Sequence, residues 1–86
     1  MNAPLQQRVL AVLTAVAPDI DPATLAPDVD LREQVDFDSM DTLNFATGLK
    51  REFGIDVPDA DFREIASVAR CVRYLQAHLP AAGSGQ

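Results

Sequence analysis

Three prolines in one short stretch, Pro18, Pro22 and Pro27, constrain this chain more than any other feature. Proline lacks a backbone N–H and clashes with the preceding helical turn, so no helix can run far between residues 18 and 37. The same stretch carries Asp19, Asp21, Asp28 and Asp30. Its flanks are different. Leu5, Val9, Val12, Leu13 and Val16 recur at helical spacing and predict an amphipathic helix over 4–17. Pro4 suits its first turn, and Pro18 lies just past its end. On the far side, Met40, Leu43, Ala46, Leu49 and Phe53 form an apolar stripe that predicts a second helix over 39–53. Asp38 stands where an N-cap belongs, and Asp41 follows three residues later, a capping-box variant with Asp in place of Glu or Gln. Gly54 is suited to end that helix in a left-handed conformation.

A chain of 86 residues holds one domain. A long loop inside a compact domain is unusual and often functional. Ile20, Leu25, Val29, Leu31, Val35 and Phe37 are therefore expected to pin the first connection onto the helices. Ile55 to Pro58 reads as a short extended link. Asp59 or Asp61 is placed to cap a short helix holding Phe62 and Ile65. Ser67 is placed to cap a final helix in which Val68, Val72, Leu75 and Leu79 share a face, with Pro80 as its stop. No internal repeat and no β pattern is present. The expected fold is all-α, a small bundle of three main helices and one short one with a long first loop. The domain is expected over 1–79, with 80–86 a small, polar, disordered tail of the kind a free-standing protein carries.

Formal net charge is −6. An acidic surface repels nucleic acid and anionic membrane and suits partners with a basic face. No apolar run approaches the ~20 residues of a membrane span. The N-terminus lacks the basic and apolar regions of a signal peptide. The single cysteine, Cys71, excludes an internal disulfide, and the cytoplasm is the expected location. Cys71 is expected to be buried or half-buried; with His78 as the one histidine, the usual structural zinc site is excluded. His78 is expected to be an exposed polar residue near a helix C-terminus. The aspartates at 28, 30, 36, 38 and 41 fail as an EF-hand, because the register from Asp28 places Glu33 and Ser39 where glycine and glutamate are required, and that from Asp36 places Asp41 and Thr47 there. Phe37, Phe45, Phe53, Phe62 and Tyr74 are too dispersed for a nucleic-acid stacking platform. Most are assigned to the core, with Phe45, off the stripe, the exception in question.

The informative segment is Asp38-Ser39-Met40. By themselves these residues read as a helix cap, since Ser and Asp are favoured there. A catalytic serine would need an adjacent base, and no Gly-x-Ser-x-Gly elbow surrounds Ser39. The wider context points elsewhere. Asp38-Ser39-Met40 followed by Asp41-Thr42-Leu43, with Leu49, Glu52-Phe53, Val57-Pro58, Ile65, Val68 and Tyr74-Leu75 downstream, resembles the acyl carrier protein family, whose pattern is Asp-Ser-Leu at the start of the second helix. Residues 36–75 lie on that pattern without a gap.

The resemblance implies that Ser39 receives 4′-phosphopantetheine from coenzyme A through a separate, magnesium-dependent phosphopantetheinyl transferase, which Asp38 helps to recognise the site. The arm's thiol would then hold acyl groups as thioesters, and the chain itself would not be an enzyme. Its partners would be acyl-transferring or ligase enzymes, read by Met40, Asp41, Asn44, Lys50 and Arg51, and it would act as a monomer. Where fatty-acid carriers are strongly acidic on this helix, Asn44, Lys50 and Arg51 stand instead. Partner choice follows charge complementarity, so a specialised carrier for lipid, polyketide or related metabolism is expected. Met40 in place of leucine is a neutral swap or an adaptable contact. A peptidyl or aminoacyl carrier, and an unmodified helical interaction module in which Ser39 only caps, stand as the alternatives.

Overall fold

The structure, a computed structural model, describes residues 3–79. Four α-helices follow in order: α1 (Ala3–Val16), α2 (Leu31–Gln34), α3 (Ser39–Phe53) and α4 (Val68–His78). Two 3-10 segments, Pro22–Thr24 and Asp59–Ile65, lie between them. No strand occurs among the described residues, so the expected all-α bundle with a long first connection is what forms. Pro80 and the tail 81–86 lie outside the described residues.

α1 buries Leu5, Val9, Val12 and Leu13 against α3 and α4. α4 begins at Ser67, whose hydroxyl accepts from the Arg70 amide, and buries Val68, Cys71 and Leu75. Burial pushes the Cys71 thiol up to about 12, which makes it a small core residue and not a nucleophile. His78 is exposed, with Nδ1 2.9 Å from the Tyr74 carbonyl oxygen and its ring stacked on Tyr74.

The first connection is packed and internally bonded. Ile20, Leu31 and Phe37 are buried, and Leu25 and Val35 lie partly buried against the core; Val29, expected to help, is exposed. Asp21 caps the first 3-10 turn by accepting from the Ala23 amide. Gln34 folds back over the loop. Its Oε1 accepts from the Ala26 amide at 2.8 Å, and its Nε2 donates to the Ala26 and Val29 carbonyls, each at 2.9 Å. Two backbone bonds then tie the connection to the C-terminal elements: Leu31 N–H donates to the Ala66 carbonyl and Ala69 N–H to that of Pro27.

Two further expectations are corrected. The core face of α3 is turned relative to the Met40–Leu43 stripe: Phe45, Ala46 and Leu49 are buried, while Met40 is 63% and Leu43 46% exposed. The reason is Phe37, whose ring meets Phe45 edge-on with centroids 6.2 Å apart, so the first connection draws Phe45 inward. The segment over Phe62 and Ile65 is a 3-10 helix, and neither Asp59 nor Asp61 caps it. Pro58 occupies the cap position with no side-chain bond, since its fixed φ already starts the turn. Asp61 instead accepts from the Tyr74 hydroxyl at 2.8 Å, which fastens the 3-10 segment to α4. Partial burial, then that bond and the carboxylates of Asp61, Glu64 and Asp56, push the phenol up to about 12.

α1 and α3 approach most closely at Gly48, where a Cβ would lie 2.7 Å from Val12 Cγ1. Valine is stiff at χ1 in a helix, so it cannot swing aside. Gly48→Ala should therefore forfeit the ~1 kcal/mol helix gain that alanine ordinarily brings. A net loss of about 1–2 kcal/mol in urea unfolding is expected from overpacking. In a Val12→Ala background the same change should stabilise. Stabilisation in both backgrounds would show that the helices are not held this close.

Candidate functional site

The site is built on the first turn of α3. Asp38 is the N-cap, extended at φ −98° and ψ −173°, and its Oδ1 accepts from the Asp41 amide at 2.9 Å. The Asp41 Oδ2 accepts in return from the Asp38 amide at 3.1 Å, completing a reciprocal capping box. The Thr42 hydroxyl donates to the Asp38 carbonyl, closing the turn from a third side. At the other end Gly54 takes φ +73° and donates to the Lys50 carbonyl, the left-handed stop that its sequence position predicts. The two ends also suit the helix dipole: Asp41 lies in the first turn, Lys50 and Arg51 in the last.

Ser39 is the first helical residue, exposed, and its hydroxyl makes no hydrogen bond among the described residues. Capping is done by its neighbour, so Ser39 is not the cap. The Ser39 and Met40 amides likewise have no acceptor among the described residues. An unpaired hydroxyl therefore stands beside two free N–H donors at the positive end of a 15-residue helix. That environment fits a phosphodiester on the serine oxygen.

The remaining residues that the sequence singled out are not all in one place. Asp38, Met40 and Asp41 surround Ser39. Met40 and Leu43 make an exposed apolar step on the same side of the helix start. Asp41 is half-buried and already committed to the cap. Asn44, Lys50 and Arg51 are exposed further along, Lys50 roughly 16 Å from Ser39 at 1.5 Å of rise per residue. Asn44 and Arg51 face the open groove between α1 and α3.

Sequence reasoning missed one part of the site. A recess of about 290 Å³ opens beside Ser39, floored by Phe37, Phe62 and Ala66 and edged by Arg32, Arg63 and Arg70. These arginines come from α2, the second 3-10 segment and α4. No spacing in the sequence announces a cluster that only the tertiary fold assembles.

Residues 7–75 match the family described as "Phosphopantetheine attachment site". The chain belongs to that family. It defines a carrier, not an enzyme, whose cofactor is 4′-phosphopantetheine. Among curated relatives, an acyl carrier protein of Rubrobacter xylanophilus is 29% identical over 66 residues, covering 77% of this chain and 82% of that one. An acyl carrier protein of Rickettsia bellii is 40% identical over 52 residues, 58% of this chain and 64% of the relative. The "Acyl carrier protein 2, mitochondrial" of Arabidopsis thaliana is 28% identical over 59 residues, 69% of this chain and 47% of its own length. The chain is thus an acyl carrier protein by family, and no described helix is long and apolar enough to cross a membrane.

The division of labour in the first turn is measurable. Asp38→Ala should lower stability by about 1 kcal/mol, the usual effect of losing a cap. Ser39→Ala should change it by no more than a few tenths, since its hydroxyl bonds nothing in the fold. Urea unfolding of both variants checks this, and a Ser39→Ala loss equal to that of Asp38→Ala would return the capping role to the serine.

Proposed function

We propose that Ser39 is the attachment residue, and that the chain holds acyl intermediates on a phosphopantetheine arm and presents them to separate enzymes. One observation carries this: within the segment that matches the family, Ser39 offers an exposed, unbonded hydroxyl at a helix start whose cap is supplied by Asp38. In the attachment step the Ser39 hydroxyl loses its proton and forms a P–O bond to the pantetheine-side phosphorus of coenzyme A. The pyrophosphate bridge breaks and adenosine bisphosphate leaves. Once bound, the arm supplies a thiol that carries acyl groups as thioesters.

Asp38, exposed beside the serine, is the residue a transferase would read. The exposed Met40 and Leu43 supply an apolar contact next to the arm. Asn44, Lys50 and Arg51 set the charge of the rest of α3, which is near neutral, and Asp41 contributes chiefly by holding the turn in shape. A helix without the acidic face that basic partner surfaces recognise supports a specialised lipid or polyketide carrier over a housekeeping one. The proposed working form is a monomer in the cytoplasm, where the unpaired Cys71 stays reduced.

Incubation with coenzyme A, magnesium and a promiscuous phosphopantetheinyl transferase should add the mass of one arm to the protein and none to Ser39→Ala. No gain with an active transferase would leave the chain an unmodified interaction module. The arm-bearing form should then be loaded poorly by a fatty-acid synthase malonyl transferase, at least tenfold slower than a standard carrier. Equal loading would overturn the specialised role.

A further inference from the structure

The recess beside Ser39 concentrates positive charge in a protein that is otherwise acidic. Three of the seven basic residues, Arg32, Arg63 and Arg70, edge it, against one of the thirteen acids, Asp30. The arginines are not consumed by ion pairs. The one ion pair among the described residues joins Arg8 to Glu52 on another face. Arg70 donates one hydrogen bond to the Arg63 carbonyl at 3.2 Å, which fixes its direction, while the Arg32 and Arg63 guanidinium groups bond to nothing among the described residues. Like charges gathered from three separate elements repel unless an anion joins them. Ser39, whose amide at the start of α3 has no acceptor among the described residues, lines the same recess.

We infer that this recess is an oxyanion seat, in which Arg32, Arg63 and Arg70 hold a charged oxygen group borne by the arm on Ser39. The inference rests on Ser39 carrying that arm. Guanidinium groups suit phosphate and carboxylate oxygens, which they engage through paired N–H donors. Two sources have this chemistry. One is the arm's own phosphodiester, bonded to the serine at the mouth of the recess. The other is a carboxylate at the end of a short dicarboxylic acyl group, lying back over the apolar floor of Phe37, Phe62 and Ala66. Either would draw the arm toward α2, the second 3-10 segment and α4, and away from the groove between α1 and α3. Asp30 opposes the seat from one side and limits its strength.

The test follows the arginine Nε–Hε resonances in ¹⁵N-labelled protein, compared between the unmodified form and forms made with coenzyme A, butyryl-coenzyme A and succinyl-coenzyme A. Intact mass confirms each product. Selective shifts at Arg32, Arg63 and Arg70 on adding the bare arm, with Arg8 and Arg73 unmoved, identify the phosphodiester as occupant. Shifts that appear with the succinyl arm and not with the butyryl arm identify the carboxylate. In both cases the shifts should shrink strongly in 1 M salt, as exposed electrostatic contacts do. Seating should also raise the melting temperature of the arm-bearing form, and in Arg32→Gln/Arg63→Gln, both exposed positions, that rise should fall at least twofold. Equal shifts with butyryl and succinyl arms and none with the bare arm would mean apolar occupancy and overturn the seat. So would a confirmed arm that moves none of the three arginines. Absence of the mass gain removes the attachment at Ser39, and the seat with it.

Discussion

The reciprocal bonds between Asp38 and Asp41 are the constraint on which the site depends. A helix start leaves amide donors unpaired, and the residue that satisfies them cannot also offer its side chain for chemistry. Here the box assigns that work to two carboxylates. Each satisfies the other's backbone amide, at 2.9 and 3.1 Å, and the serine between them is left with a free hydroxyl. Had Ser39 been the cap, a group attached to its oxygen would have had to share that oxygen with the helix start. With Asp38 in that role, the attachment proposed at Ser39 and the folding of the helix start draw on different atoms. The carboxylates also lower the positive potential around the serine, so they temper the helix dipole as well as using it.

The long first connection performs a second task. Prolines stop it from forming a long helix, yet its backbone polar groups still need partners. Gln34 satisfies three of them, and Leu31 and Ala69 bond across to and from the C-terminal elements. Those bonds set α2 beside the second 3-10 segment and α4. Tyr74 and Asp61 fasten that segment from the other side. As a result Arg32 arrives beside Arg63 and Arg70 around one recess next to Ser39. The first connection, expected to be pinned onto the helices, thus also builds one wall of the recess.

Much of this was legible in the sequence where the signal is local. Helical spacing placed α1 and α3 to within a residue, Asp38 and Asp41 announced the box, Ser67 announced α4, and Gly54 announced the stop. These features depend on residues three or four apart. What escaped depends on contacts across the chain. Apolar spacing alone favoured Met40 and Leu43 as core, because it could not register that Phe37 would pull Phe45 inward. Asp61 looked like a cap until Tyr74 was found beside it. Gln34 carried no signal as a loop clamp. The arginine-edged recess needs three elements in place before it exists.

Ser39, and no other hydroxyl, is the acceptor proposed for the arm. Peptide mapping with fragmentation mass spectrometry of the coenzyme A- and transferase-treated protein tests it directly. The added arm should localise to Ser39 and leave nearby Thr42, whose hydroxyl is engaged with the Asp38 carbonyl, and the buried Ser67 unmodified. An arm found on Thr42, Ser67 or any residue other than Ser39 would contradict the account.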